Sequence, residues 1–116
     1  MYFKSCRTWI FIIYLSIVIC LSIRPGDEFN FFSQLWKYDK IVHFVEYFVL
    51  GFLLINALKI KPLTKKKWKY VICFLIIFPI FDELLQYYTP RRIPDVYDAV
   101  ADVLGGLIGA YIRKYY

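Results

Sequence analysis

The sequence predicts an all-α membrane protein, a bundle of four transmembrane helices with both termini cytoplasmic. Three observations predict it. The chain has 116 residues, is 60% hydrophobic and has mean hydropathy +0.52, outside the range of an ordinary soluble domain. Its apolar residues gather in four stretches of roughly 16 to 21 residues, about 24 to 32 Å of helix at ~1.5 Å per residue. That matches a hydrocarbon layer of ~30 Å, in which the short first stretch thins the bilayer or extends into Cys6 and Arg7. Its 15 Lys and Arg residues are distributed unevenly among the connections between those stretches.

The first stretch, 8–23, follows Lys4 and Arg7 as a signal peptide would, but no small-x-small cleavage site comes after it. It reads as a retained anchor. Cys20 follows Ile17-Val18-Ile19 and lacks the small residue that bacterial lipidation requires before its Cys. Arg24-Pro25-Gly26-Asp27 breaks the chain. Phe29, Phe31, Phe32, Leu35 and Trp36 then suggest a short piece lying along the interface over 24–40. The second helix is expected over 41–58. Lys61-Pro62-Leu63-Thr64 and three lysines lead to the third, over 68–88. Thr89-Pro90-Arg91-Arg92-Ile93-Pro94 leads to the fourth, over 96–112, with Pro94-Asp95 as a plausible start. The chain forms one domain, with no internal repeat.

Orientation follows from the basic residues. With the N-terminus inside, ten Lys and Arg fall on the cytoplasmic side and five on the outer side. The net charge of +6 therefore reads as topology and contact with anionic lipid, and no nucleic-acid motif accompanies it. Cys6, Cys20 and Cys73 are odd in number and irregularly spaced, so no disulfide framework or metal site is expected.

The nine acids are the unusual feature, because most stand in or beside apolar helices where charge is expensive. On helix two, Lys40, His43, Glu46 and Tyr47 occupy the outer half, and the last three share a face by i,i+3 and i,i+4 spacing. On helix three, Asp82, Glu83 and Gln86 lie near the outer end. On helix four, Asp95, Asp98 and Asp102 form one stripe, continued by Gly105 and Gly109, a small-xxx-small pair that permits close helix approach. Gly51 marks a matching contact on helix two, and Asn56, deeper, reads as an interhelical hydrogen bond. Seven outer acids against Lys40, Arg91 and Arg92 leave four negative charges in excess when His43 is neutral. Protonated carboxyls, a charged His43, or a bound cation or cationic ligand would relieve that excess.

Specific chemistries fare poorly. His43-x-x-Glu46 has neither an HExxH pattern nor a Cys pair to make it a zinc site. Asp95-x-x-Asp98 is similar to the Mg²⁺-binding acids of membrane lipid transferases, but the Gly and Ala-Arg that follow in CDP-alcohol transferases are missing. Neither a lipid-phosphatase signature nor a Ser nucleophile elbow is present. No cofactor is expected, and a divalent cation at the acidic cluster stays open.

The run 39–51, Asp39 to Gly51 through His43, Glu46 and Tyr47, resembles the first signature of the VanZ-like family. Asp82-Glu83-Leu84-Leu85-Gln86, followed by Pro90, Arg92, Asp95 and Asp98, resembles the second, and Gly105 and Gly109 close the stripe as in that family. The likeness covers about residues 39–110. Where the family pattern has Asn, this chain has Asp102, which adds a negative charge. The resemblance implies a small multi-helix membrane protein of a bacterium or archaeon, the family being named for a member linked to teicoplanin resistance. It favours a polar pocket of Lys40, His43, Glu46, Tyr47, Glu83, Gln86, Arg92, Asp95, Asp98 and Asp102, with Gly51, Gly105 and Gly109 packing the helices around it.

Three functions stay open. One is an outer-leaflet pocket that binds or modulates a lipid-linked envelope component or an amphipathic ligand. Another is an intramembrane enzyme on a lipid or polyprenyl phosphate: Arg92 and Lys40 would hold phosphate, Glu46 or Glu83 would act as acid or base, and His43 would shuttle a proton. The third is a structural or ion-handling bundle. Membrane lipids are the expected partners, and the oligomeric state is not fixed by the sequence.

Overall fold

Four α-helices follow one another in the computed structural model, which describes residues 4–23, 39–59, 62–89 and 96–116, with Asp39 described by its backbone alone. They are α1 (Cys6–Ser22), α2 (Asp39–Leu58), α3 (Lys65–Tyr88) and α4 (Val96–Tyr115). No strand occurs among the described residues. Of the interfacial piece read over 24–40, residues 24–38 lie outside them, as do Arg91, Arg92 and Asp95, while Asp39 and Lys40 open α2.

Capping explains why helices begin earlier than the apolar pattern predicts. Ser5 Oγ accepts from the Arg7 amide at 3.2 Å, starting α1 at Cys6. Thr64 Oγ1 accepts from the Lys67 amide at 3.2 Å, drawing the lysines into the first turn of α3. At the other extreme, α4 continues to Tyr115 with Arg113 and Lys114 in its last turn, where cations complement the helix dipole.

The closest pair is α2 and α4, separated in sequence by a whole helix. Their contacts keep step along both chains: Lys40 meets Asp98, His43 meets Asp102, and Asn56 meets Arg113, so the two helices run parallel. Glycine permits this approach. A Cβ on Gly105 would stand 3.0 Å from the Phe44 carbonyl carbon, one on Gly109 2.8 Å from that of Phe48, and one on Gly51 2.9 Å from that of Gly106. In each case the obstacle is backbone, which cannot turn aside. Gly106, the neighbour that receives Gly51, was not singled out from the sequence; the Gly105-Gly106 doublet was the available signal.

α3 runs against this pair. Its Asp82 meets Tyr47, its Leu75 side chain lies beside Gly106, and its Trp68 lies under Lys114. Pro79 sits buried inside α3, where it withholds the amide that Leu75 would otherwise receive. α1 packs on α2 and α3. Phe11 meets Phe74 edge-on at 6.4 Å, and Tyr14 donates to the Glu46 carbonyl at 2.7 Å. The shared core includes Phe11, Val18, Tyr47, Leu50, Ile55, Val71 and Leu75.

The surface is inverted relative to a soluble protein. Ile10, Ile13 and Ile17 face outward on α1, Ile77, Ile80 and Leu84 on α3, and Val100, Leu104 and Ile108 on α4. Thr8, Asp82, Gln86, Asp98 and Asp102 are buried. Soluble domains rarely bury carboxylates while exposing stripes of branched apolar side chains. Among the described residues one helix, over Lys40–Leu58, is long and apolar enough to cross a membrane by length and composition, and α1 is a shorter apolar helix.

Candidate functional site

Parallel packing brings the N-terminal ends of α2 and α4 together, and the antiparallel α3 delivers its C-terminal end to the same place. Polar side chains from all three helices therefore meet at one end of the bundle. The spacing on α4 sets the geometry. Asp98 and Asp102 are one turn apart, about 6 Å along the axis, which suits the two nitrogens of one imidazole between them.

His43 occupies that position. Its Nδ1 lies 2.8 Å from Asp102 Oδ1, and its Nε2 lies 3.6 Å from Asp98 Oδ2. With Asp102 ionised, Nδ1 carries the hydrogen and donates it. The Lys40 ammonium donates to Asp98 Oδ1. One turn deeper on α2, the Tyr47 hydroxyl donates to Asp82 Oδ2 at 2.8 Å. The result is a chain of groups, Lys40 to Asp98 to His43 to Asp102, with the Tyr47–Asp82 pair beside it. Asp98 in the first turn of α4 is also favoured by the helix dipole.

Burial deepens along this chain. The Lys40 side chain is 45% exposed, while Asp102 is 0% exposed. Asp102 spends Oδ1 on His43, but its buried Oδ2 has no hydrogen-bond partner among the described residues. Unmet carboxylate oxygens at that depth are costly, on the order of 1–3 kcal/mol or more.

The pocket residues read from the sequence divide into three groups. Lys40, His43, Asp98 and Asp102 are joined by the contacts above, and Tyr47 is held by Asp82 beside them. Glu46 and Glu83 are half-buried and Gln86 is buried, on the same stretches of α2 and α3. Arg92 and Asp95 lie outside the described residues. Asp82 was given little weight in the sequence, yet it is 1% exposed and holds the Tyr47 hydroxyl. Its spacing to Gln86, i,i+4 on the buried stripe of α3, was the signal that could have found it. Tyr14 was likewise missed, since nothing about a Tyr in an apolar stretch distinguishes a polar contact from an interfacial one. Asn56 does make the expected interhelical bond, accepting from Arg113 Nε at 3.1 Å.

The arrangement can hold a polar group that donates hydrogen bonds, and its His–carboxylate contacts can hold or pass a proton. Among the described residues no three His, Cys, Asp or Glu side chains gather in a way that could hold a metal ion. A family model described as VanZ/LLP1 matches residues 1–115, a longer stretch than the motifs alone cover. No curated protein and no solved structure matches the chain.

Proposed function

The chain belongs to the VanZ-like family, and from that premise we propose that it is a multi-pass membrane protein whose acidic network binds the polar head of an amphipathic cell-envelope component at the outer leaflet. The inverted surface supports four spans, because lipid accepts the outward Ile and Leu stripes that water would not. The Lys and Arg bias supports an orientation with both termini cytoplasmic and the network outward.

The observation that carries the reading is the buried Asp102 Oδ2, an acceptor without a donor. Lys40 and His43 satisfy other carboxylate oxygens, so a ligand head bearing an ammonium or hydroxyl group would complete the network. The exposed apolar stripes beside it suit a ligand tail. The test incubates immobilised protein with a total envelope-lipid extract and reads retained species by mass spectrometry. Wild type retains an amphipath that Asp102→Ala and His43→Ala release at unchanged helicity. Equal retention by all three proteins would overturn the proposal.

A second reading, an intramembrane enzyme on a lipid phosphate, draws on the 2.8 Å contact between His43 and Asp102, the geometry of an oriented acid–base pair. It requires a new product in the same extract that disappears with His43→Ala. Retention without turnover leaves the binding role alone.

A further inference from the structure

The opposite end of the bundle carries a second set of polar contacts that the acidic network does not use. Arg113 Nε donates to Asn56 Oδ1 at 3.1 Å, and the guanidinium lies 5.8 Å from the centroid of the Phe52 ring. Lys59 Nζ donates to the Arg113 carbonyl at 3.0 Å. Lys114 Nζ stands 4.3 Å over Trp68 and 5.3 Å from the Tyr115 ring. The described carboxylates of the bundle, on Glu46, Asp82, Glu83, Asp98 and Asp102, belong to the other end.

Part of this is helix capping. Lys59 serves a last-turn carbonyl of α4, and cations there are favoured by the dipole. Capping does not account for Arg113, whose Nε is turned sideways into Asn56 of another helix. That bond fixes the plane of the guanidinium and leaves its two Nη nitrogens without a partner among the described residues. A guanidinium held in one plane offers its open edge to a tetrahedral oxyanion, and the next residue of α4 carries a second cation over an indole at the same end.

We propose that Arg113 and Lys114, with Asn56 as the positioning residue, bind the phosphate of an anionic phospholipid headgroup. Trp68, Tyr115 and Phe52 supply the aromatic surround typical of the interfacial level of a bilayer. From that point the exposed flank of α4 continues as Ile112, Ile108 and Leu104, an apolar path for an acyl chain. A soluble phosphate compound would have no use for that flank, so the lipid is the occupant. The proposal shares the membrane reading above but is independent of the acidic network.

The experiment places the protein in phosphatidylcholine nanodiscs doped with phosphatidylglycerol and counts retained lipids by native mass spectrometry. Arg113→Gln lowers phosphatidylglycerol retention about tenfold, the loss of one charge-assisted bond. Asn56→Ala, which keeps every charge, and Arg113→Lys, which keeps the charge but loses the fork, each lower it several-fold. Lys66→Gln, exposed at the same end, changes it less than about twofold. Equal loss in Lys66→Gln and Arg113→Gln would make the attraction diffuse and overturn the site. Full retention in both Asn56→Ala and Arg113→Lys would also overturn it, as would displacement of the lipid by millimolar inorganic phosphate or equal retention of phosphatidylcholine. If Arg113→Gln does not fold, Asn56→Ala and Arg113→Lys decide.

Discussion

Replacing Gly105 with Ala adds one methyl group where α4 touches the backbone of α2. That Cβ would lie 3.0 Å from the Phe44 carbonyl carbon and 3.1 Å from its Cα, with the carbonyl oxygen nearer still. Ordinary contact begins at 3.4 Å and the carbonyl oxygen is the nearest obstacle, so the helices must separate by roughly 1 Å there. The adjacent residue on α2 is His43, whose 2.8 Å contact with Asp102 would stretch toward or past the limit of a good hydrogen bond. Overpacking costs ~1–3 kcal/mol, and the better helix propensity of Ala returns only ~1 kcal/mol. With the weakened buried contact included, net destabilisation of about 1–3 kcal/mol is expected. Gly106→Ala is the control, because its Cβ would meet Leu75 Cδ2 at 3.1 Å, the far end of a flexible side chain. It should stay within about 0.5 kcal/mol of wild type, propensity gain and small repacking cost nearly cancelling. The assay is unfolding in mixed micelles titrated with dodecyl sulfate and followed by circular dichroism. Gly106→Ala proving as damaging as Gly105→Ala would refute the account of backbone contact.

Three further outcomes are expected. Tyr47→Phe removes the donor from buried Asp82 and should lower stability by about 1–3 kcal/mol in the same titration; an unchanged midpoint would show that this bond carries no weight. Lys40→Met and Asp98→Asn, measured singly and together, should be non-additive, with a coupling of at least about 0.5 kcal/mol; simple additivity would deny the pair a role. After Cys6, Cys20 and Cys73, all exposed, are changed to Ser, single cysteines at Lys66 and Tyr97 should react with impermeant reagents from opposite membrane faces, and labelling from the same face would refute the topology.

Helix existence was legible in the sequence because apolar length and turn residues report it directly. The α4 stripe was legible for the same reason: Asp98, Asp102, Gly105 and Gly109 repeat at helical spacing, and one face was bound to be buried. Partner choice was harder to read. Nothing within α2 says that Phe44 and Phe48 would offer backbone to glycines some 60 residues away, because the pairing belongs to two helices at once. Asp82 and Glu83 are adjacent acids of similar chemistry, and only the rotation of α3 puts Asp82 against Tyr47. Among the described residues Tyr47 and His43 take up carboxylate oxygens locally, and Asp102 Oδ2 keeps an unmet demand.

The parallel pairing of α2 and α4 also orders the birth of the protein. Lys40 leaves the ribosome 58 residues ahead of Asp98, an interval of about 3 to 12 s at ~5–20 residues per second. In the membrane setting proposed above, Lys40 and His43 spend that interval without Asp98 and Asp102, the carboxylates they will meet. α4 carries Asp98, Asp102 and the glycines that let it dock, so its arrival supplies the partners of Lys40 and His43 and the tightest packing in one event. Nascent chains stalled before Val96 should therefore be cleared faster than chains that include α4, a difference that pulse-chase labelling measures.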